Sequence, residues 1–545
     1  MNSFVMCLLI RTFAPAMLFE YIKNCCFCLK KRALMWCVFS MLSMGFGMEK
    51  NPIDGPGSSD SAFGMANWAV LILYFAVLMG MGIYFVRREK GVDDFFKGGG
   101  RIPWWAAGMS IYATMISAIT YLAIPAQAYA TDWTYYPMLW MALLVCVLVV
   151  RYYLPYFRRS GAASAYAILE ERFNVATRLM ASALFCAFMV ARMALVMYLP
   201  SLALSAVTGI DIGLCIVLMG LVTVAYCTMG GVEAVVWGDV VQGFILVGGA
   251  VFAALYLWGN TEGGFAGAWK IAVDDDKMRL FVWSLDYRRV TFWVAILGGG
   301  IANNLISYTS DQSVIQRYMA TRDERSAGRS LFMNGFMNIF VSVVFYFIGT
   351  GLYTFYKSHP TSLDADLLHT DAIFPYFMSN QMPAGVAGLL IAAVFAATMS
   401  TVSGNINSVS TVISIDFVQR LCPKITDRAL LRVARWASFM SGTMGLCIAL
   451  LMTTWNIASS LDYFNTVLGL LTSGLGGLFA MAVFVPRIKG KAALTGFVAG
   501  EAVVFLLFLY TDVNFFLFGG IGIVVSIFVA WLASLFINEQ LEGRV

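Results

Sequence analysis

The sequence is short of charge, of histidine and of long hydrophilic stretches. Only 12% of its 545 residues are charged, whereas 60% are apolar. A soluble domain carries roughly twice that charge, so the chain is read as a polytopic membrane protein. The two histidines, His359 and His369, share one loop, which leaves no histidine relay or His-based active site. No phosphate-binding G-x-x-x-x-G-K-[ST] motif occurs, so ATP-driven transport has no support. No nucleophile–base pair or metal cluster stands at the middle of a span, and an enzyme is not expected. No loop is long enough to hold a second domain.

What is present is apolar length. Hydropathy predicts about thirteen transmembrane helices. They cover approximately 67–86, 102–124, 135–155, 178–206, 212–230, 238–258, 290–308, 332–356, 384–414, 430–453, 462–486, 491–510 and 515–536. Lys and Arg collect in alternate loops: Arg87, Arg88, Lys90, Lys97 and Arg101 in one, Arg317, Arg322, Arg325 and Arg329 in another, Arg420, Lys424, Arg428 and Arg432 in a third. The positive-inside rule then puts the N-terminus outside and the C-terminus in the cytoplasm of a cell that carries the chain in its inner (plasma) membrane. This bias accounts for the net charge of +5, and no nucleic-acid partner is needed. Residues 67–536 form the membrane domain and 537–545 a short tail.

Residues 1–66 stand apart. Five of the eleven cysteines lie there (Cys7, Cys25, Cys26, Cys28, Cys37), without the further ligands a metal site needs. The apolar stretch 33–47 follows Lys30, Lys31 and Arg32 and is either a signal-like segment or part of an upstream extension before a true start at Met48 or Met65; the second is preferred.

Polar residues inside the spans carry the functional argument. Ala393 to Asp416 reads AVFAATMSTVSGNINSVSTVISID. Ala397, Ser400 and Thr401 are spaced i, i+3, i+4 and share a helical face, and Ser403, Asn407 and Ser410 extend it. Lipid cannot satisfy these groups, so the stripe faces protein, water or a ligand. Two hydroxyls beside a carbonyl suit a hard cation; small hydroxyl residues also bond helices together, and the spacing alone does not decide between them. The second span carries Ser110, Thr114, Ser117 and Thr120 ahead of Pro125, a pattern suited to a helix that unwinds and frees the carbonyls of Ala113 and Ile116. The seventh carries Gly298, Gly299, Gly300, Asn303 and Asn304. Breaks in spans five apart are what two inverted five-helix repeats predict, with a site between them at the midplane; glycine hinges are the alternative.

Arg192 lies mid-span, where an arginine costs about 2.5–3.5 kcal/mol and needs a partner. A solute carboxylate and a structural acid suit its fork equally. Asp239 is either a helix-start acid or a cation ligand, and Glu501 is assigned to a local hydrogen bond.

Four stretches together resemble the sodium:solute symporter family: KGGGRIPWWAAGMSIYATMISAITYLAIPAQAYATDW from Lys97, TMGGVEAVVWGDVVQG from Thr228, YTSDQSVIQRYMATRDERSAGRS from Tyr308 and FAATMSTVSGNINSVST from Phe395. The first looks most like bacterial sodium–sialic acid symporters. The resemblance implies an all-α fold of thirteen helices with two inverted repeats of five (LeuT-like), and alternating access driven by Na⁺. It places a first Na⁺ at carbonyls of Ala113, Ile116 and Ala397 and hydroxyls of Ser400 and Thr401. A second Na⁺ falls at Asp239 and Ser403, where Gly404 replaces an expected serine. A solute carboxylate falls at Ser117, Thr120 and Arg192, while Met115 and Leu139 stand where a threonine and a glutamine are expected. The implied activity is Na⁺-coupled symport of a small organic solute, a carboxylated sugar such as sialic acid; the alternatives are a neutral-sugar or monocarboxylate symporter with Arg192 paired internally, or a transporter-like sensor. Oligomeric state stays open.

Overall fold

The computed structural model describes residues 64–86, 91–161, 163–363, 370–383, 385–454 and 460–537. The expected N-terminal extension and the tail beyond 537 lie outside these, Gly64 to Ala66 apart. Apart from 420–424, the described residues form one compact unit, which is helical with no strand among them.

Among the described residues, nine helices are long and apolar enough to cross a membrane, and one bent pair is so when taken as a single span. In chain order the helices are α1 (Met65–Val86), the pair α2 (Trp104–Met115) and α3 (Ala118–Ala130), α4 (Pro137–Ser160), α5 (Val175–Thr208) and α6 (Ile212–Gly259). A π-helical turn, Val294–Ala302, leads into α7 (Asn303–Thr309), and the short α8 (Gln312–Met319) follows. Then come α9 (Glu324–Ser358), α10 (Val386–Gln419), α11 (Asp427–Met452), α12 (Ser460–Phe484), α13 (Gly490–Tyr510) and α14 (Phe516–Phe536).

α6 has 48 residues, more than twice a membrane thickness. It holds two expected spans, divided at Gly231 (φ 55°, ψ −161°). A Cβ there would lie 2.9 Å from the backbone oxygen of Phe95, so only glycine allows both the turn and the contact. Helix ends are capped by polar side chains where the sequence supplies them: Asn174 accepts from Thr177 N, Asp211 from Leu214 N, and Asp323 from Ser326 N.

The sequence reading needs correction at the seventh span. Gly298, Gly299 and Gly300 do not unwind the helix; they lie in the π-helical turn and serve close packing. A Cβ on Gly298 would sit 2.4 Å from the carbonyl oxygen of Phe516 at the start of α14. Gly298→Ala is therefore expected to cost about 1–3 kcal/mol by overpacking. Gly248→Ala, with nothing within 4 Å, should be close to neutral. Thermal unfolding of the two purified variants checks this.

α10 runs through the centre. Its apolar stretch is 89% buried, against 33% for α1 and α13, so its hydroxyl stripe meets protein along its whole length. Outward faces carry Leu73, Phe244, Leu255 and Val524, suited to lipid.

Candidate functional site

The break between α2 and α3 is where the expected site forms. The helices bend by 63°. Ile116 (ψ 94°) leaves helical geometry, and Ser117 restarts it as the N-cap of α3, its Oγ accepting from Thr120 N at 3.5 Å. A helix that stops frees its last carbonyls, and here α10 takes them up. Ser400 Oγ lies 2.8 Å from Ala113 O and 3.1 Å from Ala397 O; Thr401 Oγ1 lies 2.9 Å from Thr114 O and 3.2 Å from Ala397 O. All these residues are fully or almost fully buried. The structure thus brings together Ala113, Ala397, Ser400 and Thr401, and adds Thr114 O, which sequence reasoning did not name. Ile116 stands at the break itself and lines the adjoining cavity. Five neutral oxygens turned inward from a broken helix and an intact one are the donor set a hard cation prefers.

The cavity has a volume of ≈ 180 Å³. Thr120, Met115, Leu139 and Arg192 all line it, joined by Asn303, Ser307, Asp311 and Asn338. Ser117 does not: it is fully buried at the cap, 3.4 Å from Thr120 Oγ1, a structural contact. Arg192 Nη1 meets Asp311 Oδ2 at 3.2 Å, so the arginine has a structural acid within the cavity wall. Asp311 was missed because its segment, SDQ, reads as a loop; its Oδ1 caps α8, accepting from Ser313 N at 2.8 Å.

Asp239 and Ser403 are also brought together, but with a third group. Asp239 Oδ2 accepts from Ser110 Oγ at 2.6 Å and from Arg317 Nη2 at 2.8 Å; Ser403 Oγ reaches Oδ1 at 3.2 Å. Arg317 Nε in turn donates to Ser110 Oγ at 2.6 Å. Arg317, counted in the sequence as a loop cation, is instead 2% exposed and lies in α8. Its guanidinium lies against Gly404, where a Cβ would stand 2.7 Å from Nη2. The glycine that removes one expected oxygen makes the room the arginine takes. Beyond it, Asn407 and Thr411 hydrogen-bond Gln316, and Ser410 bonds Ala434 O, which accounts for the rest of the stripe as helix contacts. Glu501 accepts from Gly474 N and Ser473 Oγ, the local role expected of it.

Comparison with known proteins follows the same lines. The sequence model of the "Sodium:solute symporter family" matches residues 95–500. The chain belongs to this family. The symporter is 35% identical over 485 residues to the sodium/sialic acid symporter NanT of Aliivibrio fischeri, covering 88% of this chain and 95% of that one. It is 36% identical over 462 residues to the sodium/sialic acid symporter SiaT of Proteus mirabilis, covering 84% and 93%. Human sodium-coupled monocarboxylate transporter 2 is 29% identical, over 80% of this chain and 71% of that one. Among solved structures, a substrate-bound outward-open Na⁺-coupled sialic acid symporter matches with a TM-score of 0.82 and 34% identity, over 87% and 99% of the two chains. The LeuT-like arrangement of inverted five-helix repeats, with broken helices, is therefore the symporter's fold.

Proposed function

We propose that the symporter carries a small carboxylated solute, sialic acid foremost, into the cell together with Na⁺. The observation that carries this reading is the convergence of the Ala113 and Ala397 carbonyls with Ser400 and Thr401, at a helix break whose Ile116 also lines the cavity holding Arg192. Na⁺ taken up by these oxygens ties the α2–α3 break to α10; Thr120 and Arg192 receive the solute beside it, and Met115 and Leu139 shape an apolar wall. Alternating access then exposes the pair to either side. The Lys/Arg-rich loops set the orientation, with the N-terminus outside and the C-terminus in the cytoplasm.

The Asp239–Arg317 pair supports a single Na⁺ per cycle, since the guanidinium already supplies the positive charge at Asp239. One Na⁺ with one monoanion moves no net charge. A second would add about 2.3 kcal/mol per 100 mV of membrane potential, roughly fiftyfold in accumulation. Uptake by proteoliposomes is therefore expected to be insensitive to an imposed potential; a current that scales with uptake would require the second ion at Asp239 and Ser403.

Ser400→Ala removes one candidate ligand without opening space. The half-saturating Na⁺ concentration for uptake should rise at least about tenfold, the loss of one strong contact. Unchanged sodium affinity in the folded variant removes Ser400 from the site.

One observation favours a second reading, transport of a short monocarboxylate. Met115 and Leu139 offer no hydrogen bonds to sugar hydroxyls, and each buried polar group left unpaired costs about 1–3 kcal/mol. Counterflow with labelled sialic acid against unlabelled sugar acids, short monocarboxylates and glucose separates the two. Competition by glucose alone would remove the carboxylate role from Arg192 altogether.

A further inference from the structure

Arg192 does not wait for a solute with its charge unbalanced. Asp311 lies in the same cavity wall, 3.2 Å away through one of the guanidinium N–H groups, with side chains 8% and 11% exposed. The contact uses a single Oδ2···Nη1 approach rather than the forked arrangement an arginine prefers with a carboxylate. Asp311 is also held in place independently of Arg192: its Oδ1 accepts from Ser313 N at 2.8 Å and Ser313 Oγ at 2.6 Å, at the positive end of α8. It cannot be carried away when a solute draws on the arginine. The other buried pair close by, Asp239 with Arg317, sums to zero.

We propose that Asp311 is the residue that makes solute binding depend on Na⁺, by cancelling the charge of Arg192 in advance. The inference rests on the carboxylated-solute reading given above. With Asp311 ionised, its pair with Arg192 is neutral before anything binds. A solute carboxylate at Arg192 then sits beside a fixed carboxylate, and the cavity gains one negative charge in surroundings that screen it poorly. Na⁺ at the α2–α3 break, on the Ile116 side of the same cavity, returns the sum to zero. Anion and cation are thus favoured together and disfavoured singly, and the coupling is reciprocal. Remove the charge of Asp311, and Arg192 alone balances the solute; the ion is no longer needed for binding.

The test is equilibrium binding of sialic acid to the full-length protein in nanodiscs, in sodium chloride and in choline chloride at equal ionic strength. Asp311→Asn and Asp311→Ser both keep a good N-cap for α8 while removing the charge, so loss of the cap is separated from loss of the carboxylate. For the wild type, the dissociation constant should be far larger in choline. In both variants that ratio should fall at least about tenfold, a typical coupling, mainly because binding in choline improves. Stabilisation by Na⁺ alone, followed by thermal unfolding, should persist in both, which a general disturbance of the site would not allow. An unchanged ratio in both variants, or equal weakening in the two salts, overturns the proposal and leaves the solute assignment standing. Absence of sialic acid binding to the wild type in either salt overturns the assignment, and the proposal with it.

Discussion

Replacing Arg317 with alanine is expected to be severely damaging to the membrane domain. Asp239 is fully buried and Arg317 nearly so, 2.8 Å apart and hydrogen-bonded through Ser110. Removing one member of such a pair leaves an uncompensated charge and costs about 3–5 kcal/mol, a large part of any protein's margin. Arg317→Ala should therefore yield little folded protein, or protein whose stability is rescued by high Na⁺ as the ion replaces the lost guanidinium at Asp239. The double variant Arg317→Ala with Asp239→Asn removes both charges and should recover most of the loss. Thermal unfolding of the wild type, both single variants and the double variant completes the cycle. Additive losses would mean that the two side chains do not act as a pair. Sodium rescue of Arg317→Ala in particular would show that Asp239 retains the capacity to hold an ion when its resident cation is gone.

Arg192→Ala is expected to abolish uptake of a carboxylated solute, by at least about a hundredfold, the worth of a charge-assisted bidentate contact in a buried site. Folding should survive, because Asp311 keeps its bonds to Ser313 and, at a cavity wall rather than fully buried like Asp239, bears the loss of its arginine at lower cost. Arg192→Lys should recover little, since an ammonium cannot span both carboxylate oxygens as the planar fork does. Uptake and the monodispersity of the purified variants are measured together. Full uptake by Arg192→Ala would assign the arginine to Asp311 alone and move the solute carboxylate elsewhere.

Periodicity made the centre of the protein legible before any coordinates. Ala397, Ser400 and Thr401 share a face because of their spacing, and a stripe of hydroxyls inside a bilayer needs partners that lipid does not provide. The polar run from Ser110 to Thr120 likewise marked the break that lies at Ile116. What the sequence concealed depends on contacts between distant segments. Arg317 occurs in a hydrophilic window that reads as a loop, and its burial follows only from a carboxylate 78 positions earlier in the chain. Asp311 is hidden for the same reason: a serine–aspartate pair before a short helix announces a cap, and nothing local announces Arg192. The glycines at 298–300 were ambiguous in another way. Close packing and unwinding ask for the same residue, and only the nearness of Phe516 decides for packing. Ser117, at a break already foreseen, could serve as cap or ligand, and in the structure its Oγ caps α3.

The hydroxyls of Ser400 and Thr401 already hold the carbonyls of α2 by hydrogen bonds, and this bears on the speed of the return stroke. On the proposed Na⁺ assignment, an ion entering there would be exchanged against bonds worth about 1 kcal/mol each net, which softens its grip from the outset. On the proposed assignment, the hydroxyls would close over these oxygens once the ion is released, leaving no bare dipoles to slow the journey back.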